Sequence, residues 1–104
     1  MILRVRLTVK TEADIREIKD WGIATWGAAR SREFLGGLRQ TIELLAKHPQ
    51  KGAVRRSLHS DVRAVNYRGY LVFYIMQDEL LTVIGVIHER RNHAALDFTK
   101  RLAD

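Results

Sequence analysis

The chain has no cysteine at all and a single proline in 104 residues. The first absence excludes disulfide staples and cysteine-ligated zinc or iron–sulfur centres, and it fits a reducing compartment. The second argues against a disordered, proline-rich linker protein. Long hydrophobic runs are also missing. Leu80 to Ile87 is the longest, it is broken by Thr82, and it is far too short to span a bilayer. The opening Met1-Ile2-Leu3-Arg4-Val5-Arg6 lacks the separate basic, apolar and cleavage regions of a secretory signal. These absences predict a soluble cytoplasmic protein with no membrane partner. Catalytic signatures are scarce too. There is no Walker sequence, no glycine-rich nucleotide fingerprint and no His-Glu-x-x-His helix. His48, His59, His88 and His93 are scattered without an acidic pattern, so no metal and no cofactor are expected. Ser31, Ser57 and Ser60 lack a nucleophile-elbow context.

What is present is positive charge. The formal net charge is +6, which on a chain this short favours an anionic partner: nucleic acid, an acidic protein segment or a ribosome. The length suits one domain, residues 1–104, with a core that needs no staples.

Residues 3 to 9 alternate Leu3, Val5, Leu7, Val9 against Arg4, Arg6, Thr8, Lys10, which predicts a half-buried strand with a basic outer row. Thr11-Glu12-Ala13-Asp14 resembles a capping box and opens a helix whose stripe is Ile15, Ile18, Gly22 and Thr25 or Trp26. Trp21 and Trp26 are expected to pack this helix on the sheet. A second helix runs from Ala28 to Lys47, with Ser31, Phe34 or Leu35, Leu38, Ile42 and Leu45 inward, and Lys47-His48-Pro49 ends it. Gly36-Gly37 inside it costs roughly 1 kcal/mol per glycine. Close approach of the first helix would offset that cost; a kink or a partner helix is the alternative.

Gln50 to Ser60 reads as a basic loop. Three strands follow, Val62–Tyr67, Tyr70–Met76 and Leu80–His88, with turns at Arg68-Gly69 and Gln77-Asp78-Glu79, an antiparallel meander. The last two are apolar on both faces and should be central. Ala94 to Leu102 is compatible with a short helix. The order β-α-α-β-β-β(-α) predicts an α+β fold, an antiparallel sheet with the helical hairpin packed on one face. The other face must then be partly exposed or covered by a partner. Tyr67, Tyr70 and Tyr74 offer rings for base stacking, but Tyr70 and Tyr74 alternate with Val72 and Met76 as ordinary sheet packing would.

The candidate functional set is cationic: Arg55, Arg56, Arg63, His88, Arg90, Arg91 and His93, with Arg68 beside it. Arg63 and the His88 end of the last strand could approach one region and bind phosphate through bidentate arginines. A solvated basic rim explains the same residues equally well.

The chain also resembles a known family. Val5-Arg6-Leu7-Thr8 leads into Thr11-Glu12-Ala13-Asp14-Ile15-Arg16-Glu17-Ile18. Trp26-Gly27, Ala29, Phe34 and Ile42-Glu43-Leu44-Leu45-Ala46-Lys47-His48-Pro49 with Gly52 come next. Val62-Arg63, Tyr70-Leu71-Val72-Phe73-Tyr74 and Val83-Ile84-Gly85-Val86-Ile87-His88-Glu89-Arg90-Arg91 complete the set. In this order and spacing they resemble the ParE branch of the RelE/ParE toxins. The resemblance implies the same sheet-and-hairpin fold and a cognate, ParD-like antitoxin whose acidic C-terminal segment wraps the toxin. It implies DNA gyrase as the target, with growth arrest and plasmid stabilisation as the outcome. The RelE branch instead cleaves messenger RNA on the ribosome. That alternative would use Arg63, His88, Arg90 and Arg91. RelE-like nucleases often keep a tyrosine near the C-terminus, whereas the only aromatic after His93 is Phe98, which favours the gyrase branch. A bare binding module without toxicity is the third reading.

Overall fold

The computed structural model describes residues 2–55, 61–91 and 101. The expected tail helix lies outside them, apart from Arg101, as do Arg56 and His93. Two helices lie on one face of a five-stranded sheet: β1 (Arg4–Leu7), α1 (Val9–Trp26), α2 (Ala28–Lys47), β2 (Ala53–Val54), β3 (Arg63–Tyr67), β4 (Tyr70–Gln77) and β5 (Leu80–His88). The strand order is β1-β5-β4-β3-β2, so the two strands apolar on both faces are interior.

The sheet departs from the expected all-antiparallel form at one pair. β1 runs parallel to β5, from Arg4 opposite Leu80 to Leu7 opposite Val83. The cause is the count of reversals. The helical hairpin carries the chain out and back, and two tight turns reverse it twice more, so β5 points the same way as β1. β2 adds a short edge strand in what reads as loop, with Ala53 opposite Ala64 and Val54 opposite Arg63.

The first strand is also shorter than its alternation suggests. Thr8 is the cap of α1: its hydroxyl accepts from the Thr11 backbone N–H at 3.1 Å. A capped helix can start at once, so Val9 becomes its first residue and is largely exposed. Thr11 instead points inward, its hydroxyl donating to the Val83 carbonyl at 2.8 Å.

The core facing the helices joins Ile18, Phe34, Leu38, Ile42 and Leu45 to Val72, Tyr74, Leu81, Val83 and Val86. These are the stripes that helical and strand periodicity assign. Phe73 lies opposite Gly85 and Tyr74 opposite Val83, so Ile84 is an extra residue in β5. This bulge shifts the alternation beyond it, so that Val86 faces the helices and Ile87 joins Ile84 on the other face with Val62, Ala64, Phe73 and Ile75. That second face is therefore buried, not open.

Gly36 and Gly37 answer to different neighbours. A Cβ on Gly36 would meet nothing, whereas one on Gly37 would overlap the Tyr67 hydroxyl. The close approach is to the sheet, not to α1. The helix–helix approach is made at Gly22, whose added Cβ would lie 2.8 Å from the Ser31 hydroxyl.

Candidate functional site

The described members of the predicted cationic set divide between the two ends of the sheet. β3 and β5 are both antiparallel to β4, so they run the same way. The start of one and the end of the other therefore lie apart. Arg63 is level with Tyr74, whereas His88 is level with Tyr70. Four strand residues separate those levels, about 13 Å. The expectation that Arg63 and His88 share one region is overturned by this strand geometry.

Arg63 has a local task. Its Nη1 donates to the Gly52 carbonyl at 2.8 Å and to the Gln50 carbonyl at 3.3 Å. Next to it, the Tyr74 hydroxyl donates to the Pro49 carbonyl at 2.7 Å and accepts from the Gly52 N–H at 2.8 Å. Burial pushes the Tyr74 phenol above its ordinary range; the Gly52 hydrogen bond and the Arg63 charge pull the other way. Together these two side chains fix the loop that leads into β2. Arg55 stacks on the opposite sheet face, its guanidinium 5.9 Å from the Phe73 ring centre.

His88, Arg90 and Arg91 stay together at the far end, all exposed. His88 meets Tyr70 edge-on at 5.3 Å, and its Nδ1 accepts from the Arg90 N–H at 3.1 Å. Tyr70 in turn is held above the usual phenol range, by burial first and by the Glu17 charge second. His88, Arg91 and Tyr70 border a cleft of about 410 Å³ with Trp21, Glu17 and Asp14. Trp21 and Trp26 depart from the packing expected of them. They pack edge to face at 5.0 Å and remain 52% and 37% exposed. Gly22 holds the inward position, and at about 100° per residue its neighbour Trp21 must turn outward.

Two features carry no local sequence signal. The first is an ion pair, Asp14 with Arg101 at 2.8 Å, its side chains 13% and 9% exposed. β1 pairs with β5 only as far as Val83, which leaves the next β5 groups without a strand partner. Asp14 accepts from the Val86 N–H at 3.1 Å, and Arg101 donates to the Ile84 carbonyl at 3.0 Å. The pair thus completes the sheet edge where β1 stops. The second is an apolar groove of about 490 Å³ between β1 and the helices. Val5, Leu7, Ile15, Leu35, Leu38 and Ile42 line it, with Arg39 and Glu43 at its rim. Val5 faces it while 42% exposed, an apolar side chain on an edge strand with only one strand neighbour.

Among the described residues, no three His, Asp or Glu side chains are gathered as metal ligands. Nor is any described helix long and apolar enough to cross a membrane.

Comparison with known proteins fits this architecture. Residues 5–93 match the family model of the ParE toxin of the type II toxin–antitoxin system parDE. Toxin ParE1 of Caulobacter vibrioides is 28% identical over 90 residues, covering 86% of this chain and 93% of the relative. Toxin ParE of Escherichia coli is 31% identical over 99 residues, covering 94% and 91%. A solved structure described as a chromosomal ParDE TA system from P. aeruginosa superposes with a TM-score of 0.73. It covers 84% of this chain and 96% of that one at 16% identity, which speaks to the fold. The chain belongs to the ParE family of toxins of type II toxin–antitoxin systems.

Proposed function

We propose that this ParE-family toxin acts by poisoning DNA gyrase and that a cognate ParD-like antitoxin neutralises it. The observation that carries the reading is the family match along residues 5–93, nearly the whole described fold. The geometry supports it in two ways. The residues that would serve a nuclease do not converge: Arg63 is engaged with the carbonyls of Gly52 and Gln50, far from His88, Arg90 and Arg91. A non-catalytic mode of action needs no such convergence. The groove beside β1 also offers what a neutralising segment requires. An amphipathic helix can seat its apolar side on Val5, Leu7, Leu35 and Ile42, and an extended stretch can add to the free β1 edge. Acidic residues of that segment would meet the outer row Arg4 and Arg6 and the rim residue Arg39. At the other cationic places, Arg55, His88, Arg90 and Arg91 are candidates for contact with the target or the antitoxin. Arg56 and His93 are candidates on their sequence position alone.

The purified chain should block gyrase supercoiling or trap cleaved DNA, and added antitoxin should reverse this. Translated messages should remain intact in primer extension. A folded, antitoxin-free sample that leaves gyrase untouched while cutting ribosome-bound message would transfer the protein to the nuclease reading. Val5→Asp tests the groove separately. It places a charge at an exposed apolar position, so it should weaken antitoxin binding at least ten-fold, on the order of 1.4 kcal/mol, while the thermal midpoint stays near that of the parent.

A further inference from the structure

Two pairs of arginines among the described residues differ in how their guanidinium groups are held. Arg63 and Arg101 donate to backbone carbonyls or to Asp14. Arg30 and Arg68 do neither; among the described residues no hydrogen bond or ion pair holds either guanidinium. Each instead lies over an aromatic ring, Arg30 5.5 Å from the centre of Trp26 and Arg68 5.7 Å from that of Tyr67. A guanidinium resting on a ring keeps its in-plane N–H groups free and is already oriented to grip an anion by two of them.

Both arginines open into the same cavity, about 300 Å³, which Trp26, Phe34 and Glu33 complete. It sits at the tip of the helical hairpin, where Gly27 turns the chain from α1 into α2. The rings there form one connected series. Trp21 meets Trp26, Trp26 meets Phe34 at 5.9 Å, and Phe34 meets Tyr67 at 5.1 Å and Tyr70 at 5.7 Å. Phe34 is buried and anchors the series, while the two tryptophans remain open to solvent. The cleft on the Trp21 side carries its own exposed arginine, Arg91.

We propose that the hairpin tip binds single-stranded nucleic acid. One base stacks on Trp26 and the next on Trp21. Arg30 and Arg68 hold the phosphates beside Trp26. Glu33 supplies a hydrogen-bond acceptor at the rim, suited to a base N–H such as that at N3 of thymine. Solvent-exposed tryptophan rings beside arginines whose N–H groups make no hydrogen bond among the described residues are what single-strand binding uses. A duplex keeps its bases stacked internally and presents no faces to these rings. The site is separate from the groove beside β1, and it stands apart from the gyrase reading because its test contains no gyrase.

The test titrates the full chain with a fluorescein-labelled ten-residue oligothymidylate, followed by anisotropy and by tryptophan emission. The oligonucleotide should bind and quench the tryptophans, and a duplex of equal length should bind several-fold more weakly. Arg30→Gln/Arg68→Gln changes two exposed side chains, so folding is preserved and circular dichroism checks it. It should weaken binding about ten-fold and lower the slope of log affinity against log salt by about 1.4, two phosphates at roughly 0.7 each. Trp26→Ala should cost roughly five-fold or more, and Trp26→Phe, which keeps a stacking ring, should restore most of it. Arg4→Gln/Lys10→Gln, on β1 and the first turn of α1, should leave affinity within about two-fold. Unquenched tryptophans, a double variant at the tip that binds like the parent, or polyglutamate competing as well as the oligonucleotide would each overturn the proposal.

Discussion

At the scale of single residues, Tyr74 shows how one hydroxyl can hold a loop. Its O–H donates to Pro49 and accepts from Gly52 in a place where both side chain and glycine are buried. Tyr74→Phe leaves the Gly52 N–H without a partner, so it should cost about 1–3 kcal/mol in a urea titration. The same residue predicts an alkaline limit. Tyr70 and Tyr74 are both raised above the ordinary 10.0. A group whose folded pKa exceeds its unfolded one contributes stability that is complete below the unfolded value and lost as pH rises through the folded one. Stability should therefore hold up to about pH 10 and fall beyond it, and the fall should be shallower in Tyr70→Phe and Tyr74→Phe. The adjacent glycines of α2 give a sharper contrast. Gly36→Ala fills open space and should gain up to about 1 kcal/mol through helix propensity. Gly37→Ala would displace the Tyr67 hydroxyl, which donates to the Phe34 carbonyl at 2.6 Å, and should cost about 1–3 kcal/mol. Equal effects in thermal melts of the two variants would refute the assignment of Tyr67 as the neighbour that requires glycine. The sequence distinguishes neither glycine from the other, because the pair sits in one helix and only the sheet beneath tells them apart.

At the scale of elements, both helices and every strand but the two-residue β2 are legible in the sequence because their signals are local. Period-two alternation marks β1, continuous apolar runs mark β4 and β5, period 3.6 marks the inward row of α2, and the turns at Arg68-Gly69 and Asp78-Glu79 take the positive φ values that two-residue hairpins need. What the sequence does not reveal is which threonine caps α1. Thr8 and Thr11 are both capable, and the choice rests on Thr11 reaching Val83, 72 residues away. The candidate site was legible as a composition of arginines and histidine but not as an arrangement. Arg63 and His88 are separated by strand direction, a property of the whole meander. Asp14 and Arg101 are joined although 87 residues apart. That pair yields the next prediction. Asp14→Ala strands a nearly buried guanidinium and the Val86 N–H at the edge of β5, and should cost about 3–5 kcal/mol. Asp14→Leu combined with Arg101→Leu removes both charges and should recover much of the loss. A double-mutant cycle by denaturant unfolding measures it, and a coupling below about 0.5 kcal/mol would remove the ion pair from the account.

At the scale of the whole molecule, the charge that composition announces is spread along the fold rather than collected in one pit. Arg4 and Arg6 stand on the free edge strand, Arg39 rims the groove, Arg30 and Arg68 flank the hairpin tip, and Arg90 with Arg91 follows β5. A net +6 distributed in this way produces a long-range field that steers an acidic partner toward the surface before any contact forms. If the antitoxin segment occupies the groove as proposed, the groove would determine how long it stays, since burial of Val5, Leu7, Leu35 and Ile42 is insensitive to salt. The two contributions separate kinetically. Raising ionic strength from about 0.05 to 0.5 M shortens the Debye length to a few ångströms. The association rate of an acidic antitoxin segment should therefore fall by roughly ten-fold or more, while its dissociation rate changes little. Val5→Asp should show the reverse pattern at fixed salt, with fast encounter kept and release accelerated. Stopped-flow mixing resolves both rates. An association rate indifferent to salt would mean that the neutralising segment is recognised by its apolar side alone, and the basic surface would then have to be explained by the target.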